Sequence, residues 1–560
     1  MRILFLTHSF NSLTQRLFVE LGARGHAVTI EYDIADAVAE EAVALAAPDL
    51  IVAPYLRRAI PASICSRHVC LVVHPGVIGD RGPSALDWAI MNDEGAWGVT
   101  LLQANGEMDA GDVWASRVFP MRAAAKSSLY RNEVTEAAVG ALLEAVERFA
   151  RGDFKPQSLA ALAAQHAVAG RMRPLLRQER RFIDWLRDDT ATVLRKIRAA
   201  DGAPGVRGEL FGAACHLYDA RAATACHGAP GAVLGRDADG GIVRATVDGA
   251  VRIGHLRRPD WTHPFKLPAQ LAFPAECGAL DEVDSGWREI RYEESADGAV
   301  GLLHFEFYNG AMGTAQCERL RLAYAQARQR PTRVIVLCGG GDFWSNGIHL
   351  NVIEAAASPA DESWRNIEAM NDLVRAILET DDRLTVAALR GNAGAGGVFL
   401  ALAADAVWAR QGVILNPHYR NMGNLHGSEY WTYTLPQRVG AARAQEIVGN
   451  RLPLGAAQAQ AAGLVDACFG IAAQDFMDET QRRAAQLAGA GWSARLAEKR
   501  ERRRRDAAEK PLAAYRAEEL AEMQRNFYGF DPSYHVARYH FVYKLPHAWT
   551  PRHLARHRGA

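Results

Sequence analysis

His74-Pro-Gly-Val-Ile-Gly-Asp-Arg-Gly-Pro-Ser-Ala-Leu-Asp-Trp-Ala-Ile is the stretch on which the fold is decided. It closes an apolar run, Val69–His74, that reads as a β-strand, and its glycines lead through a turn towards a following helix. Upstream, Ile3–Leu6, Ala27–Tyr32 and Leu50–Ala53 read as further strands, with helices at Leu13–Arg24 and Ala35–Ala47 between them. Strands alternating with helices imply a mostly parallel, Rossmann-like sheet, whose ligands sit where strand ends meet helix N-termini. His74 falls at such an end, and so does Thr7-His-Ser-Phe-Asn-Ser-Leu-Thr-Gln, rich in capping residues. Downstream, Glu136–Arg151 is an amphipathic helix and Arg171–Gly205 reads as helical and charged. Residues 206–278 turn to glycines and short alternating runs such as Gly231-Ala-Val-Leu-Gly, the pattern of a small antiparallel barrel or sheet. A second α/β region begins near Ile290, with strands at Val300–Glu306, Arg333–Cys338 and Leu384–Arg390 and helices at Thr314–Gln329 and Trp364–Glu379. Beyond Gln474 the chain is helical and charged, and it closes on the aromatic segment Phe527–Tyr543.

The 560 residues carry 64 Lys+Arg against 64 Asp+Glu. That length suggests three or four domains at roughly 100–200 residues each. Zero net charge gives no electrostatic reason to expect nucleic acid or a membrane surface as partner. The basic run Lys499–Arg505 reads as a solvated helix face. The longest apolar stretch, Gly396–Ala409, is interrupted by Asp405, short of a membrane span. The first residues read as a strand, not a signal peptide. Eight cysteines without a C-x-x-C pair suggest reduced thiols in the cytoplasm. No histidine or cysteine spacing points to a metal. A cytoplasmic enzyme is expected.

Together with Trp97-Gly-Val-Thr and Met108-Asp-Ala-Gly-Asp-Val, the His74 segment resembles the formyltetrahydrofolate-dependent formyltransferase family over residues 1–170. Residues 171–280, with Phe182-Ile-Asp-Trp and Pro230-Gly-Ala-Val-Leu, are similar to the small β-barrel (OB-like) domain that follows in methionyl-tRNA formyltransferase. The resemblance implies catalytic roles for His74 and Asp109. It places folate along Tyr55-Leu-Arg-Arg-Ala-Ile-Pro, with Ile60 and Arg81 as binding residues. Formyl transfer needs a group that takes the nucleophile's proton and donors for the oxygen of a tetrahedral intermediate. One position departs: the family's Asn two residues before the His is Val72 here. Either another donor serves there, or the nucleophile is easier than an amine, as a thiol, partly thiolate near neutral pH, would be.

Residues 288–472 resemble the crotonase (enoyl-CoA hydratase/isomerase) family through Gly341-Asp-Phe-Trp-Ser-Asn-Gly-Ile-His-Leu and Ala388-Leu-Arg-Gly-Asn-Ala-Gly-Ala-Gly-Gly. The resemblance implies an oxyanion hole from the backbone N–H groups of Ile348 and Gly396. Where hydratases keep a carboxylate this chain has Phe399, and the second acidic position falls in Asn416-Pro-His-Tyr-Arg, which offers His418 or Tyr419. Hydration by two carboxylates is therefore not expected. Tyr419 and, in His426-Gly-Ser-Glu-Tyr-Trp, Glu429 supply a phenol and an acid for catalysis, with core packing for Tyr419 and a helix cap or surface ion pair for Glu429 as the alternatives.

The expected fold class is thus α/β multidomain: a Rossmann-like formyltransferase domain, a small β-barrel domain, a crotonase-like domain and a helical extension over 473–560. This fusion resembles a family of nickel–iron hydrogenase maturation factors, with hydrogenase maturation proteins as implied partners. The resemblance implies synthesis of the metal centre's carbon monoxide ligand from 10-formyltetrahydrofolate. Coenzyme A would accept the formyl group, and formyl-CoA would then lose carbon monoxide; Gln15 and Arg131, polar residues near the first site, are candidates to help hold coenzyme A, with surface roles as the alternative. The alternatives are two uncoupled halves, and a folate- and coenzyme-A-binding scaffold without turnover.

Overall fold

The computed structural model describes residues 1–165 and 168–559 and divides into two compact units, Met1–Trp287 with Pro546–Ala560, and Arg288–Leu545. In the first unit, six strands form a sheet in the order Ala27–Tyr32, Arg2–Thr7, Leu50–Ala53, Cys70–His74, Ala96–Gln103, Val113–Pro120. The first four are parallel and the last two antiparallel. Strands buried on both faces, such as Leu50-Ile-Val-Ala, read as unbroken apolar runs because helices cover the sheet. Thr135–Arg151 covers one side with Ala138, Ala141, Leu142, Ala145 and Val146, spaced for one helical face, and stops at left-handed Gly152.

The segment expected to be helical over Arg171–Gly205 is helical only at Gln178–Arg181 and Thr190–Ala199. Pro174 has no N–H to continue a helix. The residues on either side of it instead run along the His74 turn: the Arg173 N–H donates to the Arg81 carbonyl at 2.9 Å, and the Leu176 N–H to the Ser84 hydroxyl at 3.1 Å. An antiparallel sheet of Val206–Leu210, Ala213–Ala222, Ala250–Arg257, Ile242–Ala245 and Val233–Arg236 follows, with Leu267–Pro268 pairing against Ala250–Arg257. The final residues return to this unit along the open edge of Ala27–Tyr32. The Ile30 N–H donates to the Leu554 carbonyl at 3.0 Å, and buried Glu31 accepts from Arg558 at 2.6 Å. An edge strand covered in this way offers no free ladder to other chains.

The second unit has a six-stranded sheet, Ile290–Glu294, Val300–Phe305, Val334–Cys338, Leu384–Leu389, Ala406–Arg410 and Ala467–Phe469, parallel apart from its first pair. Three of these strands are each followed by a short strand of a second sheet: Phe343–Ser345, Asn392–Gly394 and Ile414–Asn416. The intervening and following loops carry the predicted second site. Helices Ala473–Ala488, Trp492–Glu509, Leu512–Tyr528 and Ser533–Tyr543 complete the unit. The basic run is not wholly solvated. Lys499 is buried, its Nζ donating to the Arg383 carbonyl at 2.8 Å and to Asp405 Oδ2 at 2.6 Å, because Asp405 needs a partner at the end of the apolar stretch. Among the described residues no helix is long and apolar enough to cross a membrane, and no group of three or more His, Cys, Asp or Glu is placed to hold a metal ion.

Candidate functional sites

His74 ends the fourth strand of the first sheet, and the motifs around it clamp the turn that follows. Thr100, opposite His74 in register, donates from its hydroxyl to the Gly76 carbonyl at 2.8 Å, and Trp97 Nε1 donates to the Pro75 carbonyl at 2.9 Å. The folded-back turn lets both imidazole nitrogens meet carboxylates: Nε2 lies 3.1 Å from Asp80 Oδ2, and Nδ1 lies 3.4 Å from Asp109 Oδ1. Gly76 is required by that closeness, since a Cβ there would stand 2.3 Å from His74 Nε2 and 2.7 Å from Asp80 Oδ2. Asp109 is left-handed (φ 51°) and accepts the Gly82 N–H at 3.0 Å. Asp80 is wholly buried, and Arg173, also buried, approaches its other oxygen to 3.5 Å.

Val72 is two residues from His74 in an extended strand, so its side chain shares the face of the imidazole and offers that face only methyl groups. Arg81 braces the Asp109 loop, donating to the Met108 carbonyl at 3.2 Å and to Glu107 at 3.1 Å. The other proposed ligand residues stand on separate elements. Gln15 lies in the first turn of Ser12–Ala23, Ile60 packs beside Ile64 and Cys70, and Arg131 belongs to a π-helical turn, Tyr130–Val134.

In the second unit Tyr419 and Glu429, ten residues apart, meet in a hydrogen bond. Both are buried; Glu429 is 1% exposed and, among the described residues, has no ion pair, so it is neither a surface partner nor a helix cap. Its carboxyl presses on the start of helix Gly396–Leu402: a Cβ on Gly396 would stand 2.6 Å from Oε1 and 2.8 Å from Cδ. Gly347, next to Ile348, faces the same point, a Cβ there coming within 3.3 Å of the Gly396 nitrogen. The two loops predicted to form an oxyanion hole are therefore adjacent. Among the described residues neither the Ile348 nor the Gly396 N–H has a recorded acceptor within the chain. Phe399 stacks on Tyr419 (5.2 Å between centroids, 17° between planes), and Trp431 stands 6.3 Å from Phe399.

This enclosure sets the protonation states. Burial pushes Glu429 up to about 8, reinforced by nearby Glu519 and opposed by the bond from Tyr419. Burial and the same carboxyl hold Tyr419 well above the usual phenol range, so it stays a donor. Three further residues complete the setting, none singled out by the sequence. Asn371 Oδ1 accepts the Glu429 N–H at 2.8 Å, its Nδ2 donates to the Ser428 hydroxyl oxygen at 2.8 Å, and that hydroxyl donates to Glu519 behind them at 3.3 Å. Gly396→Ala should force the buried carboxyl aside; such overpacking costs about 1–3 kcal/mol, to be read from urea unfolding, and should remove turnover at this site.

A sequence model described as Enoyl-CoA hydratase/isomerase matches residues 308–551, and one described as Formyl transferase, C-terminal domain, matches residues 175–262. The chain is 56% identical over 559 residues to the hydrogenase maturation factor HoxX of Bradyrhizobium diazoefficiens, covering 100% of this chain and 97% of that protein. It is 28% identical to a methionyl-tRNA formyltransferase of Citrifermentans bemidjiense, over 38% of this chain and 64% of the enzyme. The crystal structure of HypX from Aquifex aeolicus in complex with tetrahydrofolic acid superposes with a TM-score of 0.94 at 47% identity, covering 100% of this chain and 99% of that one.

Proposed function

Because this chain belongs to the HypX/HoxX family of hydrogenase maturation factors, we propose that it makes carbon monoxide in two steps, one in each unit. In the first, the coenzyme A thiol attacks the formyl carbon of 10-formyltetrahydrofolate. His74, set between Asp80 and Asp109, takes the thiol proton and returns it to the departing N10 as the C–S bond forms and the C–N bond breaks. Val72 suits a nucleophile that needs less help than an amine.

In the second step the Ile348 and Gly396 N–H groups hold the thioester oxygen. The Glu429 carboxylate takes the formyl proton while Tyr419 keeps its hydrogen bond to that carboxyl. The C–S bond breaks, carbon monoxide leaves, and the proton passes to sulfur, so that coenzyme A is regenerated. Phe399 and Trp431 leave no carboxylate to orient water, which disfavours hydrolysis to formate. The observation that carries the reading is the buried Tyr419–Glu429 pair pressed on Gly396, in a crotonase fold with Phe399 at the hydrating position. A hydratase needs two acids that can reach water; here Phe399 stands at one of those positions and Glu429 is buried beside aromatic rings.

Folate and coenzyme A fit the two sites as substrates. The Gly347–Ile348 and Gly396 loops adjoin beside the Glu429 carboxyl, where a thioester oxygen would be held, and His74 stands between two carboxylates at a strand end. Purified protein given 10-formyltetrahydrofolate and coenzyme A should release carbon monoxide catalytically, trapped by deoxyhaemoglobin. Stoichiometric binding without gas, or formate as the sole product, overturns the reading.

A further inference from the structure

Four hydrogen-bond donors converge on one carboxylate behind Glu429. Glu519, on helix Leu512–Tyr528, is completely buried. Its Oε2 accepts the Tyr430 N–H at 2.9 Å and the Ser428 hydroxyl at 3.3 Å; its Oε1 accepts the Thr432 N–H at 2.9 Å and the Thr432 hydroxyl at 2.6 Å. Such a shell fits an ionised acid, since a protonated one would turn an O–H against a donor. These donors flank Glu429 in the chain. Glu429 and Tyr430 are consecutive left-handed residues (φ 62° and 58°), a conformation that persists only where the surroundings impose it. On the other flank Asn371 takes the Glu429 N–H and donates to the Ser428 hydroxyl at 2.8 Å.

We propose that Glu519 is a positioning residue for Glu429: its carboxylate ties down the 428–432 turn so that the Glu429 carboxyl is held against Gly396 and Tyr419, and its charge governs when Glu429 releases its proton. The inference rests on Glu429 being the group that moves the formyl proton.

The charged and titratable groups around Glu429 make the sign definite. Tyr419 donates to it, and Cys317, on helix Thr314–Arg328, is pushed up by burial and further by Glu429. Arg375 and Arg516 face Tyr430, and Arg516 is paired with Asp372. Glu519 thus acts on Glu429 as a neighbouring negative charge, raising it. Burial raises Glu519 as well, to about 7, while its four donors favour the ionised form, so the two acids titrate as a coupled pair. Removing the charge should let Glu429 ionise at lower pH.

The test uses the full chain and two readouts. The infrared C=O stretch of protonated Glu429 is identified as the band lost in Glu429→Gln, and its titration midpoint is followed without substrate. In Glu519→Gln that midpoint should move to lower pH, while kcat for gas release from formyl-CoA falls on the order of 10²-fold with little change in KM. Should Glu519→Gln not fold, Thr432→Val, which removes only one of the four donors, should move midpoint and kcat in the same directions by less. A midpoint and a kcat that both stay at wild-type values overturn the proposal, as does a kcat loss with an unmoved midpoint, which would indicate packing alone. Absence of gas from the wild type, with the midpoint still moving, counts against the decarbonylation reading and leaves the Glu519–Glu429 coupling standing.

Discussion

Replacing Glu429 with glutamine should stop gas release while leaving formyl-CoA formation at its wild-type rate. A positioned acid–base group contributes on the order of 10²–10⁴ in rate, and glutamine keeps the shape but not the basicity. Glu429 is 1% exposed, with its carboxyl against Gly396 and Tyr419, and the neighbouring acid Glu519 is held by its own four donors. The wild-type pH profile gives a second signature. The carboxylate must be ionised to accept the formyl proton, and burial raises Glu429 to about 8. With formyl-CoA supplied directly, gas release should therefore increase about tenfold per pH unit below that point and level off above it. Deoxyhaemoglobin capture across the pH range measures both. If Glu429→Gln lost formyl-CoA synthesis together with gas release, the division of labour between the two units would fail.

How much of this arrangement is legible in the chain depends on sequence distance. The parallel strands of both units are runs such as Val334-Ile-Val-Leu-Cys, whose burial on two faces writes itself as continuous apolarity. His74 and Asp109 stand inside one ordered set of motifs, and Tyr419 and Glu429 are ten residues apart. Their partners are harder to see. Asp80 lies within the His74 motif but reads there as one polar residue of a glycine-rich turn, and only the fold-back at Gly76 brings it to Nε2. Arg173 and Glu519 come from elements about ninety residues away along the chain and show no local pattern. The charged run at Lys499 misleads for a related reason. Charge density reads as solvent exposure, while a single half-buried aspartate, Asp405, draws one lysine inward. Local periodicity thus conveys elements and first contacts, and the groups that tune those contacts are set by the tertiary fold.

Substituting His74 should have the opposite selectivity to Glu429→Gln. His74→Ala is expected to lower formyl transfer to coenzyme A on the order of 10²–10⁴-fold, while formyl-CoA supplied directly still yields gas at the wild-type rate. The reason is the position of the ring. It stands at a strand end with carboxylates 3.1 Å and 3.4 Å from its two nitrogens, and Val72 on the same face provides no donor to share the work. A ring between two acids is oriented at both nitrogens, so each acid should matter through the ring. Asp80→Asn, with the buried Arg173 still in place, should therefore lower formyl transfer by less than loss of the imidazole and leave gas release from formyl-CoA unchanged. Combining it with His74→Ala should add little, because an acid that acts through the imidazole has nothing to act on once the ring is gone. Losses that multiply in the double variant would show instead that Asp80 touches the reaction by its own route, and His74 would no longer be the carrier of the proton.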